Sequence, residues 1–174
     1  MAISKNVLEL TKKFVDKYIN ISTPLPIDIS HIIRTETIQI EERFLEDELS
    51  GLLIIQGGAK LIGVEHSHSE ERKRFTLAHE LGHYVLHSND SKMFVDTAIF
   101  KRQIEGGYTT REERMEREAN NFAANILMPE IIVYREVSNF YKDLNDENNI
   151  AALARKFEVS TAAMTYRLIN IGII

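Results

Sequence analysis

Two histidines four residues apart, with a glutamate directly after the first, are the residues of this chain best suited to chemistry: His79-Glu80-Leu81-Gly82-His83. On an α-helix, positions i and i+4 differ by about 40° in direction, so both imidazoles can reach one metal ion. Glu80 lies one residue round the helix, where a carboxylate can take a proton from a water held by that ion. The surrounding stretch, Arg74 to His87, has the apolar content of a buried helix. The chemistry implied is hydrolysis assisted by zinc.

A catalytic zinc normally takes three protein ligands and leaves one position for water, so two histidines need a partner from elsewhere. The chain has no cysteine, which restricts that partner to Asp, Glu or another His. The segment Glu116-Arg117-Glu118-Ala119-Asn120 supplies a candidate. Glu116 and Asn120 share a helical face, so Glu116 is expected to ligate Zn²⁺ and Asn120 to orient a ligand through a hydrogen bond. Glu118 is the rival, and because it points about 200° away from Glu116, only one of the two is expected to serve. His87 continues the stripe of His79 and His83; it is expected to be satisfied at the helix end, with support of the site or ligation as the other reading. His31, His66 and His68 are expected at the surface. Tyr84 and Tyr108 carry the hydroxyl that an oxyanion needs, and the sequence leaves that role and packing both open.

The elements that must position these residues are legible in part. Val7, Leu10, Phe14 and Tyr18 follow helical spacing and predict an amphipathic helix that stops before Pro24 and Pro26. Asp28 is placed to cap a short helix from Ile29 to Arg34, and Thr37 to Glu41 alternates as a half-buried strand does. Gly51 to Gln56 and Lys60 to Val64 flank Gly57-Gly58 and predict a hairpin. Ser69 caps the motif helix, with Glu70 and Glu71 where the helix dipole favours negative charge, and its end is expected near His87. Residues 88 to 110 read as loop with one short strand or turn around Met93 to Phe100. A second long helix is predicted from Glu112 to Met128, closed by Pro129, followed by helices over Ile131–Tyr141, Ile150–Phe157 and Thr161–Ile169, the last capped by Ser160.

At 174 residues, one well-buried core with a small appended unit is expected. No apolar run approaches bilayer length, and the N-terminal residues lack the hydrophobic segment of a secretory signal, so a cytoplasmic location is expected and membrane insertion is not. The absence of cysteine excludes disulfides, thiolate metal sites and cysteine nucleophiles. A net charge of -5 argues against a broad phosphate-binding face.

The block from Arg74 to His83, followed by Glu116-x-x-Ala119-Asn120-x-Phe122-Ala123-Ala124-x-Ile126-Leu127-Met128-Pro129, resembles the ImmA/IrrE family of metallopeptidases, small relatives of the gluzincins. The resemblance extends more weakly to Ser50-Gly51 with its hairpin and to the C-terminus. It implies an α+β fold: a small zincin-like peptidase domain over residues 1–140, in which a short antiparallel or mixed sheet packs on the motif helix and the second ligand helix. It further implies that residues 141–174 form a helix-turn-helix-like helical unit packed on that domain. The resemblance also implies a zinc endopeptidase whose substrate is an XRE-type helix-turn-helix repressor of a mobile element or a stress response.

Two other readings compete with the protease. Leu153 to Leu168 has the spacing of a DNA-binding helix-turn-helix, but Thr161 to Ile169 holds one cation, Arg167, and Asp146, Glu147 and Glu158 offset Arg155, Lys156 and Arg167. Such a unit has no excess charge with which to release counterions, so DNA binding is not expected. The other reading is a toxin-like or inhibitory binder that pairs with an XRE-type partner and cuts little.

Overall fold

Short polar side chains set the helix starts, and left-handed residues set several of the ends. The computed structural model describes residues 3–45, 49–88, 93–96, 110–140 and 147–174. Helix α1 (Lys5–Tyr18) begins at Ser4, whose Oγ accepts from the Val7 N–H, and α2 (Ile29–Thr35) begins at Asp28, whose carboxylate accepts from the His31 N–H at 2.8 Å. Helix α2 ends with Thr37 at φ 59°, where the Ile38 N–H reaches back to the Ile33 carbonyl. That is a Schellman closure. It moves the first strand, β1, to Gln39–Arg43 instead of Thr37 to Glu41, because a left-handed residue cannot sit in a strand.

Strands β2 (Gly51–Gln56) and β3 (Ala59–Glu65) form an antiparallel hairpin through Gly57 and Gly58, both at positive φ as a tight two-residue turn demands. Strand β1 pairs parallel to β3, from Gln39 opposite Leu61 to Arg43 opposite Glu65. Strand β4 (Met93–Asp96) pairs antiparallel to β2, so the sheet is mixed, in the order β1-β3-β2-β4.

Helix α3 (Glu70–His87) is capped by Ser69 and packs on β2 and β3, with Leu77, Ala78 and Leu81 buried in the same core as Leu53, Ile62 and Val64 of the sheet. Helix α4 (Thr110–Leu127) lies against α3 and buries Ala119, Phe122, Ala123, Ile126 and Leu127. Pro129 separates it from α5 (Glu130–Phe140). Helices α6 (Glu147–Phe157) and α7 (Thr161–Asn170) pack on each other and join the same apolar core through Leu153, Phe157, Met164 and Leu168. The turn between them uses Glu158 at φ 51°, with the Val159 N–H bonded to the Ala154 carbonyl, a second Schellman closure.

Arg167 of α7 is buried, and it donates from Nε to the Met128 carbonyl at 2.9 Å and from Nη2 to Asn125 Oδ1 at 3.0 Å. It thereby satisfies a carbonyl left over at the end of α4 and ties the C-terminal pair of helices to the helix that carries Glu116. No helix among the described residues is long and apolar enough to cross a membrane.

Candidate metal centre

His79, His83 and His87 form one stripe along α3, and all three imidazoles are buried. The Nε2 atoms of His79 and His83 stand 3.0 Å apart. Glu116 enters from α4 and places Oε2 3.3 Å from His79 Nε2 and Oε1 3.4 Å from His83 Nε2. One donor atom from each of the three residues lies within 4.8 Å of the others. Zinc bonds of 2.0–2.1 Å in a tetrahedral set put neighbouring donors about 3.3 Å apart, close to the spacing of these atoms.

The hydrogen bonds behind the imidazoles say which atoms carry protons. His79 Nδ1 lies 3.0 Å from Asn120 Oδ1, an acceptor, so the ring donates there and keeps the Nε2 lone pair. His83 has its Nδ1 against His87 at 3.2 Å. Burial holds His83 below its ordinary pKa, against the opposing pull of Glu116. Burial alone pushes Glu116 up, but the two imidazoles at its oxygens outweigh it and hold the carboxyl well below the usual range. Two imidazole nitrogens and a carboxylate thus converge at one largely buried place. That donor set is what a divalent cation satisfies, and nitrogen with carboxylate oxygen suits Zn²⁺.

Glu80 follows His79 on α3 and is fully buried. Gly51, the first residue of β2, gives it room: a β-carbon there would stand 3.2 Å from Glu80 Oε1 and 2.3 Å from Thr76 Cγ2. The preceding Ser50 accepts from Arg72 Nη2 at 2.9 Å, so the strand start is fixed to α3 on the same side. Nothing in the sequence around Gly51 announces this role, since the group that excludes a side chain lies on another element.

Glu118, the rival to Glu116, pairs with His87 instead of joining the group of His79, His83 and Glu116. Its Oε2 lies 3.0 Å from His87 Nε2, and both residues are buried. Both glutamates reach α3, at neighbouring places along it. His87 is thus tied to Glu118 and His83 in the interior, and the helix-end reading gives way. The continuing stripe was the available signal. Tyr84 accepts from Lys60 Nζ at 2.8 Å and is partly buried against the core. Tyr108 lies outside the described residues. His31 and His66 are exposed, while His68 is half-buried.

Residues 33–169 match the family model described as the IrrE N-terminal-like domain, a peptidase family. The chain is 34% identical over 100 residues to the radiation response metalloprotease IrrE of Deinococcus radiodurans, a match covering 56% of this chain and 27% of that protein. The chain thus spans about a quarter of that relative's length. A solved structure of a Mycobacterium tuberculosis transcriptional regulator superposes with a TM-score of 0.61 at 17% identity, over 95% of this chain and 47% of that one, a likeness of fold. With the family model covering most of its length, this chain belongs to the ImmA/IrrE family.

Proposed function

We propose that the protein is a zinc-dependent endopeptidase acting on a specific regulatory protein, an XRE-type helix-turn-helix repressor. The observation that carries the reading is the convergence of His79 Nε2, His83 Nε2 and the Glu116 carboxylate beside a buried Glu80. His79, His83 and Glu116 would hold the ion. When bound, it supplies Lewis acidity, making water acidic near neutral pH and polarising a peptide carbonyl. Glu80 takes the proton of the attacking water and passes it to the leaving amine. Asn120 holds the His79 ring in its ligand tautomer.

The substrate segment binds extended. Strand β4 is paired to β2 on one side, and among the described residues no strand pairs with its other edge. An added peptide strand there gains main-chain hydrogen bonds without deep pockets, so the segment that is cut must be unfolded or become so.

The choice of a repressor as substrate rests on the family. The relative's name, radiation response metalloprotease, agrees with a stress-linked role. DNA binding by the C-terminal helices is disfavoured by the burial of Arg167, the single cation of Thr161 to Ile169, against Met128 and Asn125. Lys156 is engaged as well, with Glu136 at 3.1 Å. A cation committed to the protein interior releases no phosphate counterions.

The test is to mix the purified protein with the XRE-type repressor encoded beside it, with Zn²⁺ or with a chelator, and to read fragments by mass spectrometry. Discrete fragments that vanish with chelator are expected. A repressor that is bound but never cut would replace the protease by an inhibitory binder.

A further inference from the structure

His87 and Glu118 complete a chain of hydrogen bonds that ends on His83. His87 Nδ1 lies 3.2 Å from His83 Nδ1, and His87 Nε2 lies 3.0 Å from Glu118 Oε2. All three side chains are buried. The second carboxylate oxygen of Glu118 lies 3.8 Å from Arg114 Nε, one turn away on α4.

Two ring nitrogens share a hydrogen bond only if one of them carries the proton. A carboxylate is an acceptor, so the His87 Nε2–H donates to Glu118. With its Nε2 proton directed at Glu118, His87 offers Nδ1 as the acceptor, and the shared proton belongs to His83 Nδ1. His83 is left with its Nε2 lone pair facing His79 Nε2 and Glu116, at 3.0 and 3.4 Å. The reversed arrangement would put a proton on His83 Nε2 and direct it into the cluster. The two ligand histidines are therefore set by different devices, an amide oxygen for His79 and a histidine–carboxylate pair for His83.

We propose that His87 and Glu118 are a positioning pair that fixes His83 in the tautomer and ring orientation needed to bind metal, and that this pair sets the affinity of the site. The proposal rests on the reading of His79, His83 and Glu116 as the ligands. Groups that hydrogen-bond to ligands typically contribute about 10–100-fold to metal affinity.

The experiment compares three full-length variants by chelator competition for Zn²⁺ and by ¹⁵N spectra of the metal-free imidazoles above their ordinary titration range. His87→Phe keeps a ring of similar size but offers no nitrogen; it is expected to weaken zinc binding about 10–100-fold and to shift His83 away from the Nδ1–H form. His87→Gln can accept from His83 with its amide oxygen and donate to Glu118 with its nitrogen, so it is expected to restore most of both. Glu118→Leu is expected to behave as His87→Phe does. A mere packing role for His87 would be served by Phe and not by Gln, the opposite order. Unchanged affinity and an unchanged His83 tautomer in both His87→Phe and Glu118→Leu would overturn the proposal. If His87→Phe fails to fold, His87→Gln and Glu118→Leu decide it between them. Failure of the wild type to bind zinc would instead refute the ligand reading, and the imidazole spectra would still report whether His87 sets the His83 tautomer.

Discussion

A β-carbon on Gly82 would stand 3.2 Å from the Cα of Ala119 and 3.2 Å from its carbonyl oxygen, so the two helices that carry the histidines and Glu116 meet backbone to backbone at this crossing. Helix propensity favours alanine over glycine by about 1 kcal/mol. Overpacking costs about 1–3 kcal/mol, and here the obstacle is backbone that cannot rotate away. Gly82→Ala is therefore expected to lower Tm and, by separating α3 from α4, to weaken zinc binding. Thermal unfolding and bound-zinc analysis check both. A variant with raised Tm and full zinc occupancy would show that the close approach is not required.

Glu116→Gln and Glu118→Gln separate the two carboxylates of α4. A neutral amide is a much poorer zinc ligand than a carboxylate, so Glu116→Gln is expected to lose stoichiometric metal. Glu118→Gln keeps an oxygen for His87 and is expected to retain the metal. Atomic absorption after dialysis reads both. Zinc kept by the first and lost by the second would move the third ligand to Glu118.

Features held within one element were readable from sequence, and features that cross between elements were not. Ser69, Asp28 and Ser160 announce helix starts because capping is local. Gly57-Gly58 announces the hairpin for the same reason. The spacing of His79 and His83 needs only one helix, and Glu116 with Asn120 only a second. The start of β1 is hidden in the sequence because Thr37 alternates like a strand residue but closes α2 in the left-handed region, a conformation that threonine does not advertise. The role of His87 depends on Glu118, 31 positions away on another helix. Gly51 is required by Glu80 and Thr76 across the sheet-to-helix packing, where no local pattern records it.

Glu65, at the end of β3, accepts from the Leu45 N–H at 2.6 Å and from the Ser67 N–H at 2.8 Å. These bonds, that from Ser67 foremost, lower its pKa from 4.5 to about 2. A depressed folded-state pKa means that the carboxylate's stabilisation is complete above 4.5 and is lost as pH falls towards about 2. In Glu65→Gln the amide nitrogen would face one of the two donors. The variant is expected to be less stable than wild type at neutral pH, and the gap is expected to close between about pH 4.5 and pH 2. Unfolding in urea at a series of pH values measures this. A gap independent of pH would contradict the account.

The central claim, that Glu80 is the base of a metal-dependent peptidase, is tested most directly by Glu80→Gln. The substitution keeps nearly the same shape and leaves His79, His83 and Glu116 in place. General bases contribute about 10²–10⁴-fold, and Glu80 is also assigned the return of the proton, so a loss at the upper end is expected. The account predicts a protein with stoichiometric zinc that forms a stable complex with the intact repressor and does not cut it. Cleavage by zinc-loaded Glu80→Gln at a rate close to wild type would contradict it.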